Sequence, residues 1–213
     1  MKFEKILQEF SGNPFFELRE LRSLAPESDS QLMNQLSQWV KQEKLVRLRK
    51  GKYLLSSTYR KFTPSTYYIS NYLYRPSYVS LATALQFYDL IPEAVAPVQA
   101  ITTRHGREWT NELGRFVYRK IKQERFWGYR EEVLGKIPTQ NRFLVARPEK
   151  AILDLMYIQN GEWTRERMTE MRFQSLESLN FDRFQDYSKR FNSPKIKRAA
   201  RRFVELYAKE LTL

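Results

Sequence analysis

Cysteine is absent from the 213 residues, and histidine occurs once, at His105. The first absence excludes a disulfide framework and any thiolate metal site, which suits the cytoplasm. The second leaves no His-based triad and no multi-His metal centre except through that one side chain, which falls in an expected hairpin turn. GxGxxG, P-loop and HExxH patterns are missing too. No apolar run reaches the roughly 18 residues of a membrane span, and the opening MKFEKILQEF has no signal-peptide apolar stretch. These absences lead us to expect a cytoplasmic, unexported, non-enzymatic protein with no cofactor, no metal and no membrane partner.

Positive charge is abundant. Lys and Arg number 37 against 24 acidic residues, a net charge of +13, which favours an anionic partner, nucleic acid before a membrane surface. The charge is concentrated where the pattern is most informative. In SDSQLMNQLSQWVKQEKL, Leu32, Leu36, Trp39 and Val40 recur on one helical face, while Gln31, Asn34, Gln35 and Gln38 share the other. Ser28 or Asp29 is the expected N-cap. Amide side chains carry the paired donor and acceptor that match the major-groove edge of adenine.

LVRLRKGKYLL then reads as two strands reversed at Gly51. From Lys44 to Lys61 every charged residue is basic. An amide-faced helix followed by a one-signed hairpin is the order of a winged helix-turn-helix, in which basic groups hold phosphates and the helix reads bases. A small helix-hairpin subdomain with a soluble rim is the plainer alternative. Upstream, Phe3, Ile6, Leu7 and Phe10 mark a first helix stopped by Ser11-Gly12-Asn13-Pro14. Leu18, Leu21 and Leu24 mark a second, broken at Pro26. The expected DNA-contacting residues are Ser30, Gln31, Asn34, Gln35, Gln38, Arg47, Arg49, Lys50, Lys52, Arg60 and Lys61.

SSTYRKFTPST, with Pro64, is the candidate linker, dividing a DNA-binding domain over 1–63 from a second domain over 64–213. The second domain opens on TYYISNYLY. Tyr67, Tyr68, Tyr72, Tyr74 and Tyr78 are either a stacking platform for single strands or half-buried packing residues. SYVSLATALQFYDLIPE is a helix capped by Ser80. VQAITT, RFVYRKIK and RFLVA read as strands, with Trp127 to Val133 a weaker one, and turns at His105-Gly106 and Asn111 to Gly114 favour antiparallel pairing over crossovers. ARPEKAILDLMYI begins a helix at Pro148, with Glu149 complementing its dipole.

Beside Arg147, the residues Glu149, Lys150 and Asp154 raise a metal-nuclease reading, but Lys150 and Asp154 at (i, i+4) are explained as a surface ion pair. Helices over 165–173 and 181–191 follow, then a last one from Pro194 with Ile196, Ala200, Phe203, Tyr207 and Leu211 inward. Lys195, Lys197, Arg198, Arg201 and Arg202 crowd its first half, against the helix dipole. They are either a solvated face or a second phosphate-contacting surface.

In combination, LRKGKYLL behind the amide-faced helix, SYVSLATAL, the ITT strand and above all ARPEKAILDL resemble the AbiEi-type antitoxins of type IV toxin-antitoxin (abortive infection) systems, in that family's order over about residues 1 to 158. The resemblance implies a repressor of its own operon that binds inverted repeats in its promoter as duplex DNA, and pseudo-palindromic half-sites of that kind would require two copies related by a twofold axis. It also implies that the repressor counteracts a nucleotidyltransferase toxin, functionally or by contact. Its DNA contacts would fall on Gln31, Asn34, Gln35, Arg47, Arg49, Lys50 and Lys52. A solitary winged-helix regulator or a protein-docking module without a toxin is the alternative. The fold class expected is α+β: a winged helix-turn-helix, then a mixed domain with a small, mainly antiparallel sheet and C-terminal helices.

Overall fold

A computed structural model of the protein describes residues 1–12, 15–134 and 141–211, with side chains through residue 207. Asn13, Pro14 and the side chain of Leu211, which carried sequence expectations, lie outside the described residues. The N-terminal unit has three helices, α1 (Phe3–Phe10), α2 (Leu18–Leu24) and α3 (Asp29–Lys41). Strands β1 (Phe15–Glu17), β2 (Leu45–Arg49) and β3 (Lys52–Leu55) form an antiparallel sheet in the order β1-β3-β2.

Strand alternation divides the sheet between two cores. Phe16, Leu45, Tyr53 and Leu55 pack with Phe3, Ile6, Leu21, Leu32, Leu36 and Trp39 from the helices. Phe15, Val46, Leu48 and Leu54 point the other way, into the core of the rest of the chain. Side chains of period two on a sheet buried on both faces produce this split. Gly51, at φ +76°, makes the β2–β3 turn and accepts a hydrogen bond from Leu18 N at 3.0 Å, tying the turn to the start of α2.

The segment from Ser56 to Ser65 is held in place rather than loose. Tyr59 packs edge-on against Phe3, Pro64 is buried, and Ser65 N donates to Asn141 Oδ1 at 2.9 Å. Ser65 also caps α4 (Thr66–Leu73), whose tyrosines are packing residues: Tyr67 lies against Phe143, and Tyr68 and Tyr72 against Phe15. Tyr74 and Tyr78 are buried, Tyr78 on a strand rather than on the helix.

The second sheet has six strands in the order β6-β7-β5-β4-β9-β8. They are β4 (Ser77–Val79), β5 (Val98–Thr102), β6 (Arg107–Asn111), β7 (Gly114–Lys120), β8 (Tyr129–Val133) and β9 (Arg142–Ala146). This sheet corrects two expectations. It is larger than foreseen, and it is mixed, since β4 runs parallel to β9 and β5 parallel to β7. Asn111 to Gly114 is a hairpin turn as expected. His105-Gly106 instead carries the chain past β7 to the outer edge, and the chain returns alongside β5. Strand periodicity fixes which residues are extended but not the direction in which neighbours run.

Helices cover both faces of this sheet. Tyr118 OH donates to Ser70 O of α4 at 2.7 Å, whereas Tyr78, which the register puts on the opposite face, bonds to α6 (Pro148–Ile158). α5 (Leu81–Phe87) lies beside α6, and α7 (Arg165–Glu170), α8 (Phe181–Arg190) and α9 (Pro194–Leu211) complete that side. Among the described residues no helix is long and apolar enough to cross a membrane.

Candidate nucleic-acid interface

α3 starts at a capping box. Ser28 Oγ accepts from Gln31 N at 3.4 Å, and Gln31 Oε1 accepts from Ser28 N at 3.1 Å. Gln31 is exposed, but its side-chain oxygen is therefore committed to starting the helix. Ser28→Ala is expected to cost about 1 kcal/mol of stability, measured by chemical denaturation. A loss below about 0.3 kcal/mol would show that the box contributes nothing. Gln35 is half-buried, with its oxygen accepting from the Met1 amino group at 3.0 Å. Ser30, Asn34 and Gln38 are exposed, and no hydrogen bond through their side chains is seen among the described residues. The outward face of α3 that is open to a partner is thus narrower than the amide pattern implied.

The basic residues of the hairpin also separate. Arg47 and Lys50 are exposed, as is Lys61 beyond the strand, and none of the three forms an ion pair among the described residues. Arg49 turns inward at the register shift between Arg47 and Arg49. Its guanidinium donates to Leu73 O at 2.8 Å and lies over the Trp109 ring at 5.2 Å. Asn111 Nδ2 donates to Leu48 O at 3.1 Å beside it. Lys52 pairs with Glu17 and sits over the Tyr72 ring at 4.1 Å. Arg60 donates to Leu55 O at 3.3 Å, and burial lowers its pKa. Arg49 and Lys52 therefore reach from the hairpin to the second unit and Arg60 is held against the end of β3, leaving Arg47, Lys50 and Lys61 exposed.

The Lys52 hydrogen bond holds the Glu17 carboxyl below the usual carboxylate range, with burial opposing it. A depressed carboxylate stabilises the fold above its unfolded pKa and loses that contribution as pH falls through the folded value. The melting-temperature gap between the wild type and Glu17→Gln is expected to be widest at neutral pH and to close below about pH 4. A gap that does not change with pH would remove Glu17 from this role.

The basic cluster of α9 has internal partners. Lys195 Nζ donates to the Gln159 carbonyl and, at 3.4 Å, to that of Tyr157. It thereby neutralises the carbonyl end of α6, which accounts for a cation near the start of α9. Arg198 and Arg202 converge on Glu162 at 2.6 and 3.3 Å, and Arg201 reaches Glu205 at 3.5 Å. Lys197 is exposed and unpaired among the described residues.

The Lys150–Asp154 pair corrects the sequence reading. Neither side chain has any solvent exposure. Lys150 Nζ bonds Asp154 and donates to Tyr78 OH at 2.9 Å. The other carboxylate oxygen accepts from Tyr78 OH and Ser80 Oγ, both at 2.9 Å. Ser80 thus spends its hydroxyl on Asp154 instead of capping α5 with it. The rings of Trp127 and Phe191 lie 5.0 and 4.9 Å from Nζ. Burial pushes Lys150 down and Asp154 up, and each charge partly restores the other. Gly128, at φ +77°, leaves room for the lysine stem, because a Cβ there would come within 3.0 Å of Lys150 Cγ. Glu149 is buried too, accepting from Asn180 N at 2.9 Å and pairing with Arg183 at 3.4 Å.

No protein-family model matches the chain, and no curated protein is significantly similar to it.

Proposed function

We propose that the protein is a sequence-specific DNA-binding repressor whose N-terminal unit is a winged helix-turn-helix. The carrying observation is that Ser30, Asn34 and Gln38 are exposed on α3 while Arg47 and Lys50 are exposed and unpaired on the hairpin that follows. In this reading α3 lies in the major groove, Asn34 and Gln38 read base edges, and Arg47, Lys50 and Lys61 neutralise phosphates. Two copies occupy inverted repeats with half-site centres about 34 Å apart or a multiple of it.

We further propose, on the likeness of ARPEKAILDL and its companions to AbiEi-type antitoxins, that the repressed operon is its own. A nucleotidyltransferase toxin would be the protein it counteracts. A docking role for the tyrosines of α4 is less favoured, because their rings pack against Phe15 and Phe143.

A reporter fused to the DNA upstream of the gene tests the first part. Expression of the protein is expected to silence the reporter, and Arg47→Ala with Lys50→Ala to release it. Co-expression with a neighbouring nucleotidyltransferase gene tests the second, with restored growth as the expected result. Silencing without rescue leaves a solitary repressor, and rescue without silencing removes the DNA-binding reading.

A further inference from the structure

Between α4 and the β8–β9 edge opens a cavity of about 380 Å³ that the DNA-binding reading does not use. We infer that it binds a nucleotide, with the base among aromatic rings, its acceptors toward Asn71 and Ser77, and its phosphate on Arg75. The volume falls within the range of small-molecule sites.

Polar groups supply the first argument. Asn71 and Ser77 line the cavity and are only 8% and 3% exposed, yet Asn71 Nδ2 and Ser77 Oγ have no hydrogen-bond partner. The amide is not free to turn, since its Oδ1 accepts from Leu144 N at 2.5 Å. Buried groups of this kind are uncommon in folded proteins and point to a missing partner. An NH₂ and a hydroxyl, both on residues lining one cavity, suit the in-plane acceptors of a heteroaromatic ring.

The walls supply the second argument. Tyr68, Phe126 and Tyr129 are half-buried around the same space, and Tyr129 is held by stacking on Tyr78 at 4.7 Å. Such rings offer a base its π-face irrespective of its identity. At the rim the charges are unequal. Arg142 is paired with Glu131 at 2.7 Å, whereas Arg75 is exposed and has no acidic partner among the described residues. One uncompensated guanidinium beside an aromatic cleft matches a phosphate carried a few ångströms from its base.

The same chemistry is offered by a free mononucleotide or by one nucleotide of a single strand. Calorimetric titration of the full chain distinguishes them, using AMP, GMP, CMP and UMP, the four nucleosides, and dA and dT tetranucleotides. Saturable one-site binding of at least one nucleotide or tetranucleotide is expected. Ser77→Ala removes an unsatisfied hydroxyl, so its melting temperature should stay the same or rise while affinity falls about tenfold. Asn71→Asp keeps the acceptor for Leu144 N and removes the donor, with a similar loss. Arg75→Ala is expected to weaken a nucleotide about tenfold and leave its nucleoside unchanged.

A mononucleotide that binds at least as tightly as the tetranucleotides identifies a small-molecule site. A tetranucleotide that binds more tightly, with the same sensitivity to Ser77→Ala and Arg75→Ala, identifies a strand. Failure of every probe to bind, or binding indifferent to all three substitutions, overturns the inference.

Discussion

Asp154→Ala is expected to lower the unfolding free energy by about 3–5 kcal/mol, because it leaves the Lys150 ammonium buried without its counter-charge. Both side chains have no solvent exposure, so no water replaces the lost carboxylate. Tyr78 OH and Ser80 Oγ would lose their acceptor in the same step. The partner effect is as informative as the single one. Replacing Lys150 with Met and Asp154 with Leu together removes both charges, so the double variant should recover most of the loss despite the orphaned hydroxyls. Urea denaturation of Asp154→Ala, Lys150→Met and the double variant measures this. Losses that simply add, or a single-variant cost below about 1 kcal/mol, would show that the pair is not the desolvated unit described here.

The second large effect concerns DNA. Arg47→Ala with Lys50→Ala is expected to weaken binding to every duplex and to flatten the dependence of log affinity on log salt by about 1.8, at 0.9 per phosphate contact. Asn34→Ala should leave the salt slope alone and cost about 1–3 kcal/mol of discrimination between the preferred site and a scrambled one. Arg49→Ala belongs to neither class. Its guanidinium is spent on Leu73 O and Trp109, so its substitution should loosen the contact between units instead. Anisotropy titrations at three salt concentrations separate these outcomes, and an Arg49→Ala slope change as large as that of Lys50→Ala would contradict the geometry.

Strong helical periods made the helices legible in the sequence. α1, α2, α3 and α6 begin and end close to where apolar spacing, Ser28 and Pro148 place them. β4 was hidden because a three-residue strand buried on both faces shows no alternation, and Ser77-Tyr78-Val79 read as the run-in to a helix. The Lys150–Asp154 spacing is the same on a wet face as on a dry one. The signal that separates them is the rest of α6, where Ala151, Ile152, Leu153, Leu155 and Met156 leave no polar side. Likewise Arg49 and Lys52 belong to a one-signed run, and only the acid, carbonyl and rings brought in from Glu17, Leu73, Trp109 and Tyr72 show that they face inward.

Recognition of a particular duplex by this chain is the proposal on which the other expectations about DNA rest. Its most direct test is an anisotropy titration of the full-length protein against the DNA upstream of its own gene, with a scrambled duplex as control, at two salt concentrations. Binding to the upstream fragment is expected to be at least about 10³-fold tighter than to the control, with affinity for both falling steeply in salt. Equal, weak binding to the two fragments would contradict it, reducing the +13 charge to a nonspecific attraction.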